Sequence, residues 1–281
     1  MAGRPSHARA LSLWMNGKRV GEWRIPTRGA MELAYDASWL VAPEARPLSL
    51  SLPLPLDPVP LTSAAVGSYF DNLLPDEASV RRRMASRFGL KDIDPFTLLS
   101  EIGRDCVGAL QLLAVDAEAP RVDLIEAEPL DEAGVEHLLN RAGTATTGMS
   151  SSGNDEELRI SIAGAQDKTA LLWHEGRWSK PIGATPTTHL FKLPLGLIGG
   201  QRQINFSTSV DNEWLCLKIL GLFGLPVPTA QIASFGAQRV LIVERFDRRL
   251  APNGNWWLRL PQEDFCQVFG LPPTAKYERD G

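Results

Sequence analysis

Cysteine is scarce in this chain. Three residues, Cys106, Cys216 and Cys266, are odd in number and far apart, which excludes a disulfide framework and a zinc knuckle. Histidine is nearly as scarce, and the four present, His7, His137, His174 and His189, show no metal-ligand spacing. No apolar run approaches the ~18 residues of a membrane span. Leu11 to Met15 is broken by Ser12 and followed at once by Asn16-Gly17-Lys18-Arg19, so the N-terminus offers no apolar core for a secretory signal. An excess of one charge is also missing. Lys and Arg total 29 against 33 acids, a net charge of −4, which argues against a surface generally coated by nucleic acid while leaving room for local basic patches. These absences point to a cytoplasmic protein with no membrane partner.

What is present is ordinary globular material, 44% hydrophobic and 22% charged, long enough at 281 residues for two modest domains. Leu11, Leu13 and Met15 alternate up to Asn16-Gly17, with Val20 and Trp23 beyond, a hairpin signal because both turn positions tolerate positive φ. Pro47 to Leu54 alternates cleanly and predicts an edge strand. Glu77 to Phe88 predicts a helix with Asp76 as N-cap and Gly89 as terminator, and its Arg81–Arg83 run reads as a solvated face. A shorter helix over 95–103 and a strand over 107–115 complete a small α+β unit. Asp131 to Ala142 predicts a helix, and the Thr-, Ser-, Gly- and acid-rich stretch 144–157 a linker. Beyond it come strands over 159–162 and 169–173, a helix from Ser209 to Phe223, an apolar strand from Arg239 to Phe246 and a helix from Gln262 to Gly270. The fold class expected is α+β, with domains at 1–116, 117–157 (connecting helix and linker), 158–255 and 256–281.

The chemistry concentrates in 158–246. Small residues at Ser161-Ile162-Ala163-Gly164-Ala165-Gln166 lie between two strand-like runs, where backbone N–H groups can approach phosphate oxygens. Lys192 follows in the next strand, where an ammonium can pair with those phosphates. Glu213 is the helix acid placed to hold Lys192 extended, and Val243-Glu244-Arg245-Phe246 ends the strand that would edge an adenine. Taken singly, a strand lysine is commonly a surface lysine, a helix glutamate is commonly solvated, and a Gly-Ala loop is commonly a hairpin. The order of small-residue loop, strand lysine, helix acid and apolar strand is what carries the reading of a kinase nucleotide lobe. His189, inside a strand after Thr187-Thr188, reads as a satisfied polar residue rather than a ligand.

Longer runs carry a resemblance. Ser161 to Leu172, Pro186 to His189, Ser209 to Glu213, Val243 to Arg249 and Arg259 to Asp264 resemble motifs of the HipA family, serine/threonine kinase toxins of bacterial toxin–antitoxin pairs. Ser49 to Leu54, Phe70 to Asp76 and Leu99 to Asp105 match in the first unit, so the resemblance spans nearly the whole chain. It implies a protein-kinase-like N-lobe after an N-terminal subdomain, with ATP and Mg2+ as cofactors. It implies that Ser161 is autophosphorylated, that Ile162, Ala163, Gly164, Ala165, Gln166, Asp167 and Lys168 form the ATP phosphate loop, that Lys192 is the ATP lysine, and that Glu244 and Phe246 lie at the adenine hinge. The partners it implies are a helix-turn-helix antitoxin, operator DNA reached through that antitoxin, and an aminoacyl-tRNA synthetase as substrate.

Two departures qualify it. Asp167 stands where many members carry Glu. The family's catalytic Asp and Asn and its magnesium Asp belong to a helical C-lobe, whereas the only aspartates here beyond Asp247 are Asp264 and Asp280, and neither begins an Asp-x-x-x-x-Asn pattern. The sequence therefore predicts a chain truncated within its C-lobe, with no catalytic residue or metal ligand present, and inactive alone. The alternative is a non-catalytic antitoxin-binding or corepressor module. A lipid-kinase-like enzyme is a weaker third reading.

Overall fold

The computed structural model describes residues 9–143, 166–198 and 204–277. The strand expected over 159–162 and the linker over 144–157 lie outside them. The chain forms two compact units, one built by 9–122 together with 259–277, the other by 123–143, 166–198 and 204–258.

The first unit begins with a hairpin, β1 (Arg9–Met15) and β2 (Lys18–Ile25). Asn16 and Gly17 turn it with φ of 48° and 81°, the double positive-φ geometry that matches the twist of the flanking strands. With β3 (Glu32–Tyr35) and β4 (Leu110–Ala114) it makes an antiparallel sheet in the order β3-β2-β1-β4. Helices α1 (Ala37–Leu40), α2 (Ala64–Asp71), α3 (Ala78–Arg87) and α4 (Pro95–Ile102) join it. The fully buried Trp23 indole stacks on Phe70 at 4.0 Å between ring centroids and tilts against Phe96 at 5.0 Å, so one strand and two helices share an aromatic centre. Asp94 caps α4 through its bond from Thr97 N, with Pro95 in the first turn, where a missing N–H costs nothing.

Three expectations fail here. Pro47 to Leu54 is not a strand but a turn, closed by the Leu52 N–H on Ser49 O and a single Ser49–Leu52 bridge. Its prolines cannot donate to a ladder. Its polar atoms bond elsewhere instead. The buried Tyr35 hydroxyl donates to Leu52 O and accepts from Leu48 N, and burial pushes its pKa up to about 12. The N-cap of α3 is Glu77, not Asp76, whose carboxylate takes bonds from Lys276 and Tyr277. Arg81 is not a solvated face residue, because it is buried against Asp71 Oδ1 at 2.6 Å and Pro75 O at 2.6 Å.

Residues 259–277 carry α7 (Phe265–Phe269), shorter than the helix expected over 262–270. Asp264 and Gln267 form a capping box, and Gly270 ends the helix in the left-handed region with φ 66°. A short 3-10 turn, Pro273–Ala275, follows.

The second unit is a six-stranded antiparallel sheet. Its strands are β5 (Ala127–Pro129), β6 (Lys168–His174), β7 (Arg177–Pro181), β8 (His189–Lys192), β11 (Ala230–Phe235) and β12 (Gln238–Glu244), in the order β11-β12-β8-β6-β7-β5. Small hairpins, β9 (Gly196–Ile198) with β10 (Ile204–Phe206) and β13 (Arg248–Leu250) with β14 (Trp257–Arg259), flank it. Helix α5 (Glu132–Gly143) sets Val135 and Leu139 against Leu171, Phe191, Val240 and Ile242 on one face. Helix α6 (Ser209–Leu222) sets Val210 and Trp214 against Leu190, Leu241 and Val243 on the other. The unbroken run Val240-Leu241-Ile242-Val243 follows from this, since a strand covered on both faces has no polar side to alternate to. Among the described residues no helix is long and apolar enough to cross a membrane.

Candidate functional site

Lys192 ends β8. Phe191 and Leu193 on either side are buried in the core, which pins the strand and leaves the lysine on the α6 face of the sheet. The second turn of α6 brings Glu213 over that face, and its Oε1 accepts an ion-paired hydrogen bond from Lys192 Nζ. Both side chains keep partial access to solvent, 22% for the lysine and 33% for the glutamate. The ammonium is thus held extended and still reachable.

Lys168 does not sit in a loop. It opens β6 directly across from Lys192, so both lysines share one face. Like charges opposite one another disfavour a sheet unless an anion lies near, and Glu213 supplies one carboxylate. Gln166 and Asp167 are tied to the same place. Gln166 Nε2 donates to Leu193 O at 2.6 Å, and the Leu193 N–H donates to Asp167 O at 3.1 Å. These bonds splint the segment before β6 to the end of β8. Ser161, Ile162, Ala163, Gly164 and Ala165 lie outside the described residues.

Glu244 ends β12 opposite His189, with its side chain in solvent, and Phe246 is 75% exposed. The Glu244 N–H donates to Thr229 O and that of Arg245 to Thr188 O, each at 2.9 Å. Among the described residues Phe246 therefore carries the first N–H of this corner not committed to a backbone bond. Below it lies a network the sequence reading passed over. The Arg245 guanidinium grips Asp247 with two bonds of 2.9 and 2.8 Å and donates to Thr187 Oγ1, while Arg248 pairs with the same aspartate at 3.0 Å. All four side chains are buried, so the corner is rigid. The signal in the sequence was only the closeness of opposite charges in Arg245-Phe246-Asp247-Arg248, because the pairing is made at a turn and not along a strand.

His189 Nδ1 meets Thr188 Oγ1 at 2.9 Å, and its ring stands edge-on to Trp178. Burial lowers its pKa below the usual 6.5, partly opposed by the Glu244 charge across the ladder. Two aspartates near the site are committed, Asp247 between two arginines and Asp211 to Arg239. Among the described residues no three His, Cys, Asp or Glu side chains converge as a metal site.

Comparison with known proteins matches residues 11–113 to the HipA N-terminal domain and residues 160–281 to the HipA-like C-terminal domain. The chain belongs to the HipA family. It is 34% identical over 277 residues to the protein Y4mE of Sinorhizobium fredii, covering 97% of this chain and 62% of that one. It is 29% identical over 278 residues to the serine/threonine-protein kinase toxin HipA of Shewanella oneidensis, covering 98% and 59%. The chain thus spans about three-fifths of the length of these HipA relatives. In fold it is similar to the solved HipA, HipB and operator DNA complex of S. oneidensis, with a TM-score of 0.71 at 24% identity, over 96% of this chain and 58% of that one.

Proposed function

We propose that this chain supplies the phosphate-gripping part of a HipA-type serine/threonine protein kinase toxin, and that the Lys192–Glu213 ion pair is the observation that carries this reading. On it, residues 158–255 act as the kinase-like N-lobe behind an N-terminal subdomain over 1–116. Lys192 contacts ATP phosphates, Glu213 orients it, and residues 162–167 lie over the phosphates, with Lys168 contributing from the neighbouring strand. The Glu244 to Phe246 corner, stiffened by Arg245 and Asp247, takes the adenine edge. ATP supplies the phosphoryl group for a substrate serine or threonine, and Ser161 is the residue modified in the chain itself. No magnesium site is assigned here, because Asp211 and Asp247 already serve arginines and no three acidic or histidine side chains converge among the described residues. This chain alone is therefore expected to hold nucleotide weakly and not to transfer phosphate. The solved relative assembled with HipB and operator DNA supports a DNA-binding antitoxin as partner, and a translation component such as an aminoacyl-tRNA synthetase is the proposed substrate.

A reactive acyl-phosphate analogue of ATP, which acylates the lysine nearest the phosphates, tests the site. Labelling should concentrate on Lys192 and fall when ATP competes. Labels spread over surface lysines with no protection by ATP would overturn the reading and leave the non-catalytic module in its place.

A further inference from the structure

Helix α6 carries apolar residues on every side, Val210, Trp214, Leu215, Leu217, Ile219, Leu220 and Leu222, a pattern that belongs to a helix covered all round. One side packs on the sheet, yet Leu215 is 51% exposed. Beside it a groove of about 750 Å3 runs along the edge of the sheet, walled by Trp214, Leu215 and Lys218 from the helix and by Ala230 and Ile232 from β11. A pocket of this size lies in the range that receives ligands.

The floor of this groove is a strand edge. β11 bonds to β12 through an unbroken register over all six of its residues, and among the described residues no strand pairs with its other side. Proteins guard such edges with charge, proline, a bulge or brevity. The opposite edge of the same sheet is guarded in this way, since β5 has three residues, two of them Glu128 and Pro129. β11, Ala-Gln-Ile-Ala-Ser-Phe, has none of these devices. Its charge has a sign as well. Arg239 pairs with Asp211 at 2.5 Å, whereas Lys218 lies over the Trp214 ring at 5.5 Å with no carboxylate in ion-pair range among the described residues. In a chain of net charge −4, this groove is locally positive.

We propose that the groove is a docking site for an extended acidic–apolar peptide segment of another protein. The segment adds as a strand to the open edge of β11, seats an apolar side chain between Trp214 and Ile232, and sets a carboxylate beside Lys218. Main-chain bonds supply the grip, and the alternate side chains that face α6 supply the choice. The proposal stands independently of the nucleotide reading.

The probe is a capped synthetic peptide long enough to pair with β11, with Ile, Asp and Phe on one side of the strand and Thr on the other, titrated into the full chain by calorimetry. Saturable binding is expected, weakened about fivefold when Lys replaces the peptide's Asp, and Lys218→Glu should reverse that preference. Lys218 is exposed on α6, so the variant should fold, which its unfolding curve checks. Two further peptides, N-methylated on one strand edge or the other, should separate, with one losing binding and the other keeping it. No saturable binding, no preference between Asp and Lys peptides, or equal binding by both methylated peptides would each overturn the proposal. Concentration-dependent dimerisation that the peptide fails to reverse would assign the edge to a second copy of this chain instead.

Discussion

At the scale of single residues, the site depends on Glu213 more than its exposure suggests. A partly exposed ion pair contributes only about 0.2–1 kcal/mol to stability, so Glu213→Gln should barely change the unfolding midpoint. The same substitution frees Lys192 to fold back towards solvent and should sharply reduce ATP-protected labelling of Lys192. Unchanged labelling would show that the glutamate does not orient the lysine. His189 carries a separate expectation. Its folded pKa lies below the free value of 6.5, so the unfolded chain binds the proton more readily. The neutral ring's contribution is complete above pH 6.5 and declines as pH falls from there towards the folded value. His189→Gln should therefore flatten the loss of stability between pH 7 and 5, read as the difference between the two proteins' melting curves. Lys192, Glu213 and the Asn16-Gly17 turn were legible in the sequence because each follows from spacing or from one residue's φ preference. Arg81 and Asp247 were not, since their meaning lies in partners that only the folded chain brings near.

At the scale of elements, long apolar or amphipathic runs were readable and short ones were not. Helices α5 and α6 stand within a residue of their expected limits, and strand β12 begins one residue before and ends two residues short of its own. β7 and β11 went unread, because Arg177–Pro181 and Ala230–Phe235 gain strand form from neighbours in the sheet rather than from their own pattern. The turn at 47–54 misled in the opposite direction, where alternation without donors imitated a strand. Helix α7 shows how a five-residue element persists. Phe265 and Phe269 remain exposed, 79% and 68%, while Cys266 and Gln267 are buried. Lys276 clamps the segment by reaching Asp76 at 2.9 Å and Asp264 at 3.1 Å. Burial pulls the Lys276 pKa down, but hydrogen bonds to the two aspartates more than offset it and leave it raised. The clamp is therefore complete below the free-lysine value of 10.5 and is lost as pH rises through the folded value. Lys276→Ala leaves the Asp76 carboxylate without its cation and should destabilise the first unit by about 1–3 kcal/mol, measured by urea unfolding. A change within error would mean that Tyr277 alone satisfies Asp76.

At the scale of the whole molecule, intact-mass spectrometry of the purified chain should show no phosphate. Transfer needs a group to orient the serine hydroxyl and a metal to hold the leaving phosphates, and Glu213, Asp211 and Asp247 are already paired with Lys192, Arg239 and Arg245. Stoichiometric phosphate on Ser161 without added kinase would show that a complete catalytic set exists in these residues. The first unit has a further property, set by the order in which its parts are made. The side chain of Asn16 bonds Arg259 through both its amide atoms, Nδ2 to O and Oδ1 to N, each at 2.9 Å. Ser51 reaches the Gln267 carbonyl and Asn72 the Leu271 carbonyl across similar spans of chain. A ribosome adding roughly 5–20 residues per second takes on the order of ten seconds or more to travel between the two ends of such a bond. The opening hairpin therefore emerges long before Arg259, and the Asn16 amide at its turn waits while the entire second unit is translated. Folding of the first unit is in this sense a closing event, and a ribosome that stalls before Arg259 leaves behind Asn16, Ser51 and Asn72 without the backbone groups they meet in the finished unit.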